Sequence, residues 1–358
     1  MNRNQWIVLV LVALLLAAFP MTGSTFYTQL LTKTMILAIF AMSLDLLVGY
    51  TGLVSLGHAA FYGLAGYALA LVQPKYDPMS IFITLPAALA VCALFALVTG
   101  WLVLRTRGIY FIMATLAFAQ MAYFVFHDTA LGGGSDGIYI NNKPVVGIGG
   151  VRLLDLDDRA HFYYLVLAAM LVAYLLLRRV LDSNFGRALA GIRVNEHRMR
   201  AIGFPVARYQ LGVYVLSGTL AGLSGYFAAL QFGFVNPEIL SWHQSGAALM
   251  MVILGGMGTL HGSIVGAFVF VLVEDLVKDQ GVFGAFAKHW QLMMGVLVVL
   301  VAVFLPRGLA GLGTLARRRA PPEATTSATP GATAAARSAA TPSDATPSAA
   351  GAARKSEG

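Results

Sequence analysis

Between residues 5 and 305 the chain keeps returning to one kind of segment, an apolar run followed by a short link into which most of the charge is swept. A helix needs about 20 mostly apolar residues to cross a hydrocarbon core of roughly 30 Å. Such a core admits only helices or closed barrels, because backbone polar groups must be satisfied within the protein. Ten runs approach that length, at residues 5–21, 29–48, 56–72, 81–104, 109–126, 161–177, 210–232, 244–256, 263–277 and 290–305. Only 11% of the 358 residues are charged, against roughly 25% in a soluble domain. The predicted fold is all-α: a polytopic membrane protein of about ten spanning helices, with room for broken or re-entrant members, plus a short helix in a polar loop. The weakest members are 5–21 and 244–256. The first has the outline of a signal peptide but ends in PMTGS without a small-residue cleavage site, and is read as retained. The second is short enough to be re-entrant.

Charge sets the orientation. The longest polar link, 178–209, carries seven Arg against Asp182 and Glu196. Positive charge flanking spans is retained on the cytoplasmic side. Counting crossings from a cytoplasmic N-terminus puts Arg105, Arg107, this link and the basic residues after Arg307 inside. The same count puts the acidic stretch with Asp128, Asp136, Asp155, Asp157 and Asp158 outside. Residues 1–313 then form one membrane domain with 178–209 as its cytoplasmic loop. Residues 314–358, Ala/Thr/Ser/Pro-rich from about Pro321, lack large apolar anchors and are read as a disordered cytoplasmic tail. The net charge of +8 is a matter of topology and gives no reason to expect nucleic-acid binding.

Other chemistry is excluded by what is missing. Cys92 is the single cysteine, the seven His are scattered, and no cluster has metal-ligand spacing. There is no nucleophile–base constellation and no G-x-x-x-x-G-K-[ST] loop, so the chain is not expected to be an enzyme or to bind ATP in that way. No cofactor is expected on this chain.

Four motifs stand out. Around residues 43–70, Gly49, Gly52, Gly57, Gly63 and Gly66 accompany Asp45, Ser55 and His58. This density suits a discontinuous helix facing a pathway, with small-residue packing as the alternative. Asp45 sits near a span's end, facing the bundle interior either to meet solute or to tie helices together. Later, Gly255, Gly256, Gly258 and Gly262 with Thr259 form a second glycine-rich interruption, either a broken helix on the same pathway or a plain turn. In the outer loop, Gly133, Gly134, Ser135 and Asp136 offer a nest for an anion or an exposed turn. Within the basic loop, Asn195 caps a helix that Gly203 ends and Pro205 cannot extend. Met199 and Ile202 give that helix an apolar edge for a groove.

Taken in order, these segments resemble the LivM-type inner-membrane permease subunits of branched-chain amino acid ABC importers. The resemblance rests on LLVGYTGLVSLGHAAFYG from Leu46, TRGIYFIMATLAFAQM from Thr106, GGSDGI from Gly133 and NEHRMRAIGF from Asn195. It continues with YVLSGTLAGLSGYFAAL from Tyr214, LMMVILGGMGTLHGSIVGA from Leu249 and FLPRGLAGL from Phe304. It implies half of a translocation pathway in a bacterial inner membrane, paired with a LivH-type permease, two cytoplasmic ABC ATPases that hold ATP and Mg, and a periplasmic binding protein. It also implies that Asn195, Glu196, Arg200, Ala201 and Gly203 belong to a coupling helix on an ATPase. Glu196 precedes Gly203 by one residue more than in the general importer pattern. Within the same family, urea, short-chain amides or other amino acids are the rival cargoes. A stand-alone secondary transporter is the rival class, for which Asp45 and the Glu274/Asp275 pair are a thin basis.

Overall fold

The computed structural model describes residues 12, 14–22, 24–74, 78–148, 151–305 and 308–311. Its helices are α1 (Thr25–Thr51), α2 (His58–Val72), α3 (Ile81–Val103), α4 (Ile109–Asp128), α5 (Arg159–Asp182) and α6 (Asn184–Val194). They continue with α7 (Glu196–Ala201), α8 (Val206–Phe232), α9 (Trp242–Gly255), α10 (Leu260–Lys278), α11 (Gln280–Phe283) and α12 (Trp290–Phe304). Two short antiparallel ladders complete it. β1 (Ile138–Tyr139) pairs with β4 (Phe234–Val235), and β2 (Val146–Ile148) pairs with β3 (Val151–Leu154).

Among the described residues seven helical stretches are long and apolar enough to cross a membrane: α1, α3, α4, α5, α8, α10 and Ala287–Gly311, which contains α12. The runs at 56–72 and 244–256 fall short. They become α2, with 15 residues, and α9, with 14, each reaching only about 21–23 Å at 1.5 Å per residue. Helix α2 starts late because residues 52–57 are not helical. Of the run at 5–21, residues 12 and 14–21 are described; it is helical at 14–18, where Tyr163 donates to the Leu16 carbonyl at 2.7 Å. The tail at 314–358 also lies outside them.

A helix apolar on all sides belongs either in lipid or at the centre of a bundle. Helices α1 and α8 take the centre, buried along most of their length, while α3, α4 and α12 leave Leu94, Met121 and Val299 exposed. Close approach at the centre depends on small side chains. A Cβ on Gly225 of α8 would lie 1.8 Å from the Tyr62 carbonyl oxygen of α2. Buried hydroxyls add hydrogen bonds between helices: Ser224 donates to the Ile36 carbonyl at 2.7 Å, and Thr84 meets the Tyr226 hydroxyl at 2.7 Å.

Candidate functional site

The non-helical link between α1 and α2 is stitched to the bundle. Gly52, in the left-handed region, caps α1. The Leu56 amide donates to Thr115 Oγ1 at 3.3 Å and the Ala59 amide to Ser245 Oγ at 2.8 Å, while buried Ser55 accepts from the Gly57 amide at 3.3 Å. Hydroxyls from α4 and α9 thus supply what water would supply elsewhere. His58 opens α2 fully buried, with Nε2 at 3.0 Å from Ser43 Oγ and 3.4 Å from Ser217 Oγ. Its ring lies between Phe40 and Phe61, centroids 5.6 and 5.7 Å away. These contacts pack the ring and engage Nε2, while the buried Nδ1 has no hydrogen-bond partner among the described residues.

Asp45 ties helices together. It is fully buried, and its Oδ1 accepts the Gly258 amide at 2.8 Å. This bond joins α1 to the turn between α9 and α10, so the two glycine-rich elements meet. Gly49 and Gly258 are in backbone contact: a Cβ on Gly49 would sit 2.2 Å from Asp45 Oδ1 and 2.4 Å from the Gly258 nitrogen. Gly255 and Gly256 end α9 in the same turn, and Thr259 opens α10, its hydroxyl donating to the Gly256 carbonyl at 2.8 Å. Arg193, at the end of α6, donates from Nη1 to the Gly49 carbonyl.

Below this cluster hangs α7. Asn195 Oδ1 accepts the Arg198 amide at 2.9 Å, and the chain leaves the helix through Gly203 at φ 87°, a conformation that favours glycine. The Phe204 amide bonds back to the Met199 carbonyl at 3.1 Å. Glu196 pairs with Arg200 and, at 3.3 Å, with Arg107 of the α3–α4 link. The expected apolar edge is divided: Met199 turns inward against Gly191 of α6, whereas Ile202 stays 64% exposed. In the loop after α4, Gly133 and Gly134 are left-handed, and Ser135 and Asp136 are exposed, 3.3 Å apart.

At the opposite end of the bundle from α7, a cavity of about 600 Å³ opens between α1, α8, α9, α10 and α12. Lys33 and Glu274 face each other across it at 3.8 Å. Lys278 holds Glu274 at 2.5 Å and lies over the Trp290 ring, 3.9 Å from its centroid. None of Asp45, Gly52, Ser55, Gly57, His58, Gly255, Gly256, Gly258 or Thr259 lines this cavity. Sequence reasoning passed over Lys33. Its signal was a lone lysine within an apolar span, a placement costly enough to mark function or pairing.

A chain built in this way crosses a membrane several times and uses its buried polar groups to hold helices together, the class of a multi-pass membrane protein. The family model described as the permease component of branched-chain amino acid transport systems matches residues 26–302, and the chain belongs to that family. It is similar to the high-affinity branched-chain amino acid transport system permease protein LivM of Escherichia coli K12, 31% identical over 325 residues. That match covers 86% of this chain and 75% of the relative. The probable LivM of Methanocaldococcus jannaschii is 25% identical over 157 residues, 41% of this chain and 46% of its own. The ribose import permease RbsC of E. coli K12 is 24% identical over 308 residues, 83% and 92% respectively. No solved structure matches.

Proposed function

We propose that this chain forms half of the translocation pathway of an ATP-driven importer carrying leucine, isoleucine and valine across a bacterial inner membrane. The observation that carries this reading is α7, a six-residue helix capped at both ends and flanked by two exposed apolar residues, Val194 at the end of α6 and Ile202 at its own C-cap. A charged helix held this firmly outside the bundle is suited to rest in a partner's groove.

In this reading a LivH-type permease completes the pathway, two cytoplasmic ATPases hold ATP and Mg, and a periplasmic binding protein delivers the solute. Asn195, Glu196, Arg200, Ala201 and Gly203 form the contact with an ATPase. The arginine-rich end, with both termini, faces the cytoplasm, in keeping with retention of positive charge there. The loop carrying Gly133 to Asp136 and the cavity at Lys33 then face outward. No chemistry is asked of this chain: ATP turnover below moves α7, and the bundle alternates between outward and inward access.

The test is purification of the chain from its native membrane in mild detergent, followed by reconstitution. Recovery of a second permease and ATPases, with ATP-dependent uptake of labelled leucine when the binding protein is added, is the expected result. A complex that imports urea or an amide and ignores leucine changes the cargo and keeps the class. Accumulation by the chain alone on an ion gradient overturns the reading.

A further inference from the structure

We propose that Arg193 is a positioning residue that passes movement of α7 into the α9–α10 turn, making Arg193, Gly49, Asp45 and Gly258 one mechanical joint. The inference rests on the ATP-driven reading above and gives Arg193 a part that reading does not assign. Arg193 is the next-to-last residue of α6, two positions before the Asn195 that caps α7. Arg193 is itself exposed, and its guanidinium reaches the end of α1, donating to the Gly49 carbonyl in the last turn, the negative end of that helix's dipole.

From Gly49 the contact continues without a gap. The Gly258 backbone presses directly on Gly49, and the Gly258 amide is held by Asp45. Interiors packed to this density transmit displacement instead of absorbing it. Helices α9 and α10 touch backbone to backbone, since a Cβ on Gly255 would lie 2.0 Å from the Gly262 carbonyl oxygen, and one on Gly266 2.0 Å from that of Met251. A push on the turn therefore moves both helices as a pair. Gly308, beyond α12, closes on the same turn: its Cβ would lie 2.4 Å from the Gly256 nitrogen.

The tethers on α7 are unequal. Glu196 meets Arg107 in an exposed ion pair at 3.3 Å, which water and salt weaken. Arg193 reaches a partly buried carbonyl on the central helix, where a charge-assisted bond is stronger. Motion of α7 is thus free to slip against the α3–α4 link while it stays engaged with α1 and the α9–α10 turn.

The experiment uses the full complex in liposomes with its binding protein, reading ATP hydrolysis and solute uptake in one preparation. Arg193→Ala is expected to hydrolyse ATP within about twofold of wild type while uptake falls roughly tenfold or more, the size of a typical coupling between sites. Arg193→Lys, which keeps a charged donor, is expected to restore much of the uptake. Should Arg193→Ala fail to assemble, Arg193→Met keeps the stem and removes only the donor, and the same split between hydrolysis and uptake is expected. Wild-type uptake without the donor overturns the proposal, as does an assembled variant that loses hydrolysis and uptake in parallel. If wild type carries some other solute on ATP, the comparison is made with that solute, and the cargo assignment fails while the joint is tested. A wild-type complex whose uptake owes nothing to ATP overturns both readings.

Discussion

Asp45 and Gly49 lie one helical turn apart and do different work at the same contact. A methyl on Gly49 has nowhere to go, so Gly49→Ala is expected to destabilise the bundle by about 1–3 kcal/mol, as overpacking does. Gly246, on α9, has no heavy atom within 4 Å of its Cβ position. Gly246→Ala is therefore expected to be neutral or to stabilise by up to about 1 kcal/mol through helix propensity. Thermal unfolding of the two variants in the same detergent checks the opposite signs. At Asp45 the acceptor is what matters for folding: Asp45→Asn keeps an oxygen for the Gly258 amide, whereas Asp45→Leu strands a buried donor at about 1–3 kcal/mol. The same melting series should rank Asn well above Leu; equal loss would mean that the charge, not the hydrogen bond, holds the turn.

Among the elements, α7 and its caps were legible because capping is local: Asn195, Gly203 and Pro205 announce a helix from their own chemistry. The sides of α7 were not. Met199 and Ile202 look equivalent in sequence, and only the packing of α6 beside them turns Met199 onto Gly191. The glycine-rich interruptions were likewise visible as breaks, but their meeting was not, since Asp45 and Gly258 are joined across 213 positions of chain. No periodicity reports such a distance. At Gly203 the Cβ position is open, with nothing within 4 Å, while φ is left-handed. Gly203→Asp is therefore expected to cost only about 1 kcal/mol locally and to leave expression and insertion near normal. Transport should nonetheless be lost and ATPase association weakened. Pull-down of the ATPases alongside uptake measures both, and normal uptake would remove α7 from the coupling role.

For the molecule as a whole, apolar runs and charge placement gave the class directly, while the number of full crossings depended on where backbone breaks fall inside the runs. The short α2 and α9 read as spans because sequence counts apolar residues, whereas structure counts helical rise. Orientation is testable with little engineering, because the sole cysteine, Cys92, is fully buried and provides a silent background. Ser135→Cys in intact cells is expected to react with a membrane-impermeant maleimide, and His197→Cys only after permeabilisation. The reverse pattern would invert the topology and detach α7 from any cytoplasmic partner.

The central position of α1 also has a consequence for how the protein is made. Its main neighbour α8 begins about 155 residues after α1 ends, a delay of roughly 10–30 s at ribosomal elongation rates. During that interval a helix carrying Lys33 and Asp45 has left the ribosome before the chain that will enclose it exists. The segment made early is completed late, since the groups those two charges meet, the Gly258 amide and Glu274, follow α8 in the chain.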